Sequence, residues 1–131
     1  MPNTYVRFVT GTIDEYSHVR RGVFQAVADL VDNNELPPHE LEELQAVRAW
    51  FNRYLDAPDR FSRSQKPGAA AKAISWYKSS ANQHIRHMHT MCRILNENGI
   101  PTEMITSSRP GYIVYEDEYQ IAAIPFGETT T

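Results

Sequence analysis

Apolar residues recur at helical spacing through most of this 131-residue chain and at strand spacing in its last third. That change of period limits the possible folds more than any other feature. Thr102–Ser107, Tyr112–Glu116 and residues 119–125 read as three successive strands. Arg109-Pro110-Gly111 separates the first two, with Pro fixing φ and Gly supplying a permissive one. Asp117-Glu118 closes the second pair tightly. Strands joined this shortly pair antiparallel, so the end of the chain reads as a meander.

Residues 5–10, Tyr-Val-Arg-Phe-Val-Thr, are β-branched and aromatic and are punctuated by Gly11, which predicts a first strand. Ser17 is placed to cap a helix running to about Asp32, with Val23, Val27, Leu30 and Val31 at helical spacing. Pro37-Pro38 opens a second helix at positions where a missing N–H costs nothing. Its stripe is Leu41, Leu44, Val47, Phe51 and Leu55, and Pro58 stops it. A third helix is expected from the Ala69-Ala70-Ala71 run to Asn98-Gly99, with Tyr77, Ala81, Ile85, Met88, Cys92 and Leu95 on one face. The expectation is one α+β domain over 1–131, in β-α-α-α-β-β-β order. Its three helices pack on one face of a small, mainly antiparallel sheet. A mobile basic loop near 57–70 and a frayed C-terminal tail complete it.

The charge is segregated along the chain. Between Leu44 and Leu95 stand Arg48, Arg53, Arg60, Arg63, Lys66, Lys72, Lys78, Arg86 and Arg93 against only Asp56 and Asp59, a balance of +7. The remainder carries −10. Such asymmetry marks either a surface for an anionic partner or two parts of one fold that neutralise each other. The single Cys92 allows no internal disulfide. No apolar run approaches the ~20 residues of a membrane helix, and the first residues lack a secretory pattern. A cytoplasmic protein without membrane contact is expected.

Several stretches carry a resemblance: Ala73-Ile74-Ser75-Trp76-Tyr77-Lys78, Ile94-Leu95-Asn96-Glu97-Asn98-Gly99-Ile100, and Arg109-Pro110-Gly111-Tyr112 through Gln120. Ile124-Pro125-Phe126, Trp50-Phe51-Asn52 and Pro58-Asp59-Arg60-Phe61 extend it over most of the chain. Together they resemble a group of small bacterial proteins with no established activity. The resemblance implies a shared fold and transfers no site residue.

Arg60, Arg63, Lys66, Lys72 and Lys78, with Phe61 and Trp76 available to stack, suit a single-stranded nucleic acid: cations meet phosphates and rings meet bases. Lys72 lies near the expected helix N-terminus, which itself attracts phosphate. An acidic pI near 5.9 weighs against a dedicated DNA binder. His84 and His87, three apart on a helix, could ligate a metal with a hairpin carboxylate such as Glu116 or Asp117. His89 points elsewhere, and the Glu of a zinc-protease helix is missing. Cys92 with His89 reads better as a core thiol than as a nucleophile. No phosphate loop and no serine-hydrolase elbow occurs, so no cofactor is called for. Arg109, Tyr112 and Tyr115 put one cation and two rings at a hairpin suited to a protein contact.

The leading expectation is a non-catalytic module that engages an anionic partner, nucleic acid or acidic protein, through a basic loop-helix face. A small enzyme on nucleotides or phosphoesters, using the helix histidines and hairpin carboxylates, is the alternative. A self-associating structural protein, a homo-oligomer built on the tyrosine-bearing sheet, is the third.

Overall fold

The computed structural model describes residues 4–13, 20–33, 36–55 and 73–126. Six strands and three helices are present among them: β1 (Tyr5–Ile13), β2 (Arg20–Gly22), α1 (Val23–Asp32), α2 (Pro38–Tyr54), β3 (Ile74–Lys78), α3 (Asn82–Glu97), β4 (Thr102–Ser107), β5 (Tyr112–Glu116) and β6 (Gln120–Ile124). The strand order is β2-β1-β3-β6-β5, with β4 also paired to β1. The β1–β2, β1–β3, β3–β6 and β5–β6 ladders are antiparallel. The α+β class and the antiparallel sheet stand as expected, but the three-strand meander does not: β5 pairs with β6, whereas β4 pairs with β1.

Two strands interrupt the expected order. The third helix begins at Asn82, and Ile74–Lys78 is a strand. Ile, Trp and Tyr in a five-residue run favour the pleated backbone. Tyr77, Ala81 and Ile85 are four apart, and this spacing carried the helical reading across a strand–turn–helix junction. The turn is visible in the Ala81 N–H donating to the Lys78 carbonyl, 2.9 Å, and the Ser79 N–H to that of Thr4, 3.0 Å. β2, only three residues long, is too short to show a period. α1 follows it directly with Gly22 at its N-cap, and Ser17 lies outside the described residues.

The chain divides into two compact units. The first holds the start of β1 with β3, β5, β6 and the first turn of α3. Its middle strand is β3, whose Ile74, Ser75, Trp76 and Tyr77 pair with Ala123, Ala122, Ile121 and Gln120. Trp76 and Ile121 are 1% and 0% exposed. No hydrogen-bond partner for the Trp76 Nε1–H is found among the described residues. On the β5–β6 pair, Val114 and Ala122 pack with Ala73, Tyr115 and Ile124. Strict alternation would set Tyr112 and Val114 on one face. A bulge between Ile113 and Tyr115 breaks it, leaving Val114 buried and Tyr112 exposed. Gly111, at φ +143, lies so close to Ile124 that an added Cβ would meet its carbonyl oxygen at 2.1 Å.

The second unit holds the rest of β1, β2, α1, α2, the remainder of α3 and the start of β4. Val23, Ala26, Val27 and Leu30 of α1, Leu44, Val47 and Phe51 of α2, and Met88, Met91, Ile94 and Leu95 of α3 are buried. α2 and α3 run antiparallel, because Trp50 meets His87, Glu43 meets Arg93 and Glu40 meets Asn98 as one sequence rises and the other falls. α3 ends as Asn98-Gly99 predicts: Gly99 takes φ +82, its N–H donates to Asn96 O at 3.1 Å, and the Ile100 N–H donates to Leu95 O at 2.9 Å.

The two glycines should separate in a urea-unfolding comparison. Gly99→Ala has open space around it and is expected to cost about 1–2 kcal/mol, the strain of a left-handed residue. Gly111→Ala adds a backbone collision to strain of roughly 1–3 kcal/mol and is expected to cost at least ~3 kcal/mol. Equal midpoints for the two variants would contradict the β5–β6 geometry.

Candidate binding surface

Most of the expected basic face falls on residues that the structure does not describe. Arg60, Arg63, Lys66, Lys72 and Phe61 lie outside the described residues. Trp76 stands inside the sheet with no ring face for a base, because its segment is a strand paired on both sides. Lys78, on the same strand, ion-pairs with Glu116 at 2.7 Å. Arg93 contacts Glu43 and, at 3.4 Å, Glu97. At Lys78 and Arg93, therefore, the fold neutralises its own charge segregation. The helix expected to begin beside Lys72 begins at Asn82.

The hairpin residues are placed at one end of the β5–β6 pair. Tyr112 is 44% exposed, and the Arg109 guanidinium lies 5.3 Å from the centroid of the Phe126 ring. Tyr115 is half-buried and its hydroxyl donates to Asp117 Oδ2 at 2.9 Å. Asp117 is a structural hub rather than one of three loose carboxylates. It also accepts from the Tyr119 N–H (2.8 Å), the Gln120 N–H (3.1 Å) and Gln120 Nε2 (3.0 Å). Burial raises its pKa, but these hydrogen bonds outweigh it and hold the carboxyl below its ordinary value.

His84 and His87 each pack against aromatic rings. His84 is buried, stacked on Tyr119 at 4.4 Å and 6.1 Å from Tyr77. His87 packs against Trp50 at 4.3 Å and Phe51 at 6.1 Å. No group of three His, Cys, Asp or Glu able to hold a metal occurs among the described residues. Cys92 is buried as expected, and burial pushes its thiol pKa up against a smaller lowering from its hydrogen bond with Thr102.

A different surface emerges on the α2–α3 seam. The Tyr54 and Trp50 rings lie 5.1 Å apart at 39°, and the Trp50 and His87 rings 4.3 Å apart at 41°. Trp50 also meets Phe51 edge-on, and Phe51 meets Phe24 the same way. The inner end of this ladder is core: Phe51 is 4% exposed. The outer end faces solvent, with Tyr54 48% and Phe24 40% exposed and Trp50 and His87 half-buried. The Arg53 guanidinium lies 5.4 Å from the Tyr54 centroid, and Arg53 and Arg86 are both exposed. The signal in the sequence was Trp50, Arg53 and Tyr54 at i, i+3 and i+4: Trp50 and Arg53 lie off the Leu44–Val47–Phe51 stripe, while Tyr54, seven residues after Val47, carries the stripe out to the exposed end of the helix. One large ring beside the core face and one at its outer end form a partly wet surface.

Comparison with known protein families, with curated proteins and with solved structures returns no match. No described helix is long and apolar enough to cross a membrane.

Asp117 supplies the test of the hairpin. Asp117→Ala should cost about 2 kcal/mol, since it leaves several donors unmet. The lowered carboxyl stabilises the fold fully above pH ~4, and that contribution is lost as pH falls through the folded-state value. Urea midpoints from pH 7 to 2 are therefore expected to fall more steeply for the parent protein than for Asp117→Asn. Parallel curves would show that the carboxylate does not close the turn.

Proposed function

We propose that the protein is a non-catalytic binding module for single-stranded nucleic acid, with the Trp50–Tyr54–His87 ladder as its stacking platform. The observation that carries this reading is a run of unlike rings, exposed at Tyr54 and half-buried at Trp50 and His87, with a guanidinium lying over the outermost one. Rings accept any base, whereas a protein core has no use for a tyrosine that is half in water. Each stacked base is worth roughly 1–3 kcal/mol, and Arg53 and Arg86 supply charge for the flanking phosphates.

Chain connectivity adds support from the sequence. Arg60 follows Tyr54 by six residues, so their Cα atoms are at most about 22 Å apart in any conformation. Arg60 alone of the expected cations is thus kept near that helix end by its sequence distance. Stacking thus passes from Trp76 to Trp50 and Tyr54, while the anionic partner is retained.

Anisotropy of a labelled oligothymidylate, titrated at several salt concentrations, tests the reading. Tyr54→Ala is expected to weaken binding by about 1–3 kcal/mol at every salt. Arg53→Gln should flatten the log–log salt slope by about 0.7, the single-strand value for one phosphate. Duplex DNA of equal length should bind more weakly, because its bases are not free to stack. Undetectable binding at low salt, or affinities indifferent to both substitutions, would remove the proposal.

A further inference from the structure

An open groove of about 450 Å³ lies wholly within the second unit, between Phe8 of β1, one side of α3 and the start of β4. Its volume falls in the range of small-molecule sites, roughly 300–1,000 Å³. It shares no lining residue with the ring ladder on the α2–α3 seam. Phe8, Cys92 and Met104 give it an apolar wall, and the Phe8 ring meets His89 edge-on at 5.2 Å. His89, Cys92 and Asn96 recur on α3 at spacings of three and four, so the helix sets them in a row about 10 Å long.

The polar end of the row is fixed by its neighbours. Asn96 Oδ1 accepts from both the Thr102 N–H and the Thr102 hydroxyl, at 2.9 and 3.1 Å. With its oxygen committed, the amide presents its Nδ2 hydrogens on the side away from Thr102. The charges at the rim satisfy one another: Arg93 contacts Glu43 and, at 3.4 Å, Glu97, while Glu103 pairs with Arg20 at 2.6 Å. An ionic ligand must break one of these pairs to gain a counter-charge, whereas a neutral one leaves them intact. From this lining we infer that the groove binds an uncharged, flat aromatic molecule, which lies against Phe8, Cys92 and Met104 and accepts a hydrogen bond from Asn96 Nδ2 through a carbonyl oxygen.

The soft lining selects a ring over an alkyl chain. The groove offers two sulfur atoms, from Cys92 and Met104, and two rings, from Phe8 and His89. Sulfur and ring edges both interact favourably with a further aromatic ring, beyond the gain from covered area. Met104 is 49% exposed, so a ligand seated here covers apolar surface that the fold leaves in water. A bicyclic molecule with one carbonyl follows the row from His89 to Asn96.

The probe is coumarin, a neutral bicyclic lactone, titrated into the whole chain labelled with ¹⁵N and at its methionine methyl groups. The ring current is expected to move the Met104 methyl resonance in a saturable way, with amide shifts at Cys92 and Asn96 and the Trp50 indole unmoved. The fully saturated lactone and the carboxylate derivative of coumarin are each expected to bind about tenfold more weakly. Met104→Asp sets a carboxylate under an apolar ligand and should weaken coumarin binding by about tenfold. Asn96→Asp keeps an acceptor for Thr102 but removes the donor, and should weaken it by a similar factor. A stationary Met104 methyl at the solubility limit of coumarin overturns the inference, as does equal binding of the saturated or the anionic analogue. So does unchanged affinity in either variant. A Trp50 indole that moves while the Met104 methyl stays in place would put the ring on the ladder and overturn it equally.

Discussion

The antiparallel ladder between Ile74–Tyr77 and Gln120–Ala123 is the constraint on which the first unit depends. It places Trp76 and Tyr77 inward on opposite faces of β3, and both are buried. Burial pushes the Tyr77 phenol well above its ordinary value, so the ring stays neutral. The same ladder holds Lys78 beside Glu116 and brings Tyr119, just before β6, under His84. Had this segment been the first turns of a helix, Trp76 and Lys78 would have been free to form a basic, aromatic face. A single choice of backbone therefore takes Trp76 out of the expected stacking face.

In the second unit the corresponding constraint is the α2–α3 seam. Its inner residues are ordinary core, and its flank combines charge pairing at one end with ring stacking at the other. Arg93 bridges to Glu43, while seven residues along α2 Trp50 takes His87. Exposed ion pairs contribute little net stability, commonly below ~1 kcal/mol. A half-exposed tryptophan–tyrosine pair is more informative, because its apolar area is left in water at the outer end. Surface of that kind persists where something covers it some of the time.

Much of the architecture was legible in the residues. The strand at Tyr5, the Pro37-Pro38 start, the Asn98-Gly99 stop and the β5–β6 hairpin all act through local chemistry: propensity, a missing donor, a left-handed cap, a tight turn. The meander expected after Thr102 fails at its first strand, because β4 pairs with β1 rather than with β5. What was hidden depends on distant partners. Tyr77, Ala81 and Ile85 satisfy a helical spacing although the backbone turns between them, and only β6 reveals that Ile74–Lys78 is a strand. The bulge at Val114 reassigns a face that alternation assigned otherwise. Trp50 was visible as a large ring off the α2 stripe, and Tyr54 as one at the stripe's outer end. Their meaning required His87, thirty-seven residues further on, to complete the stack. Charge segregation was read correctly as a pattern, but pairing across the fold absorbs it at Lys78 and Arg93.

The two tryptophans give the account its most direct measurement. Trp50 is in the platform and Trp76 is buried in the sheet, so each indole N–H reports on one environment in a two-dimensional ¹H–¹⁵N spectrum. On adding a short single-stranded oligonucleotide, the Trp50 indole resonance is expected to move in a saturable way while that of Trp76 stays in place. A stationary Trp50 indole at saturating oligonucleotide would contradict the platform.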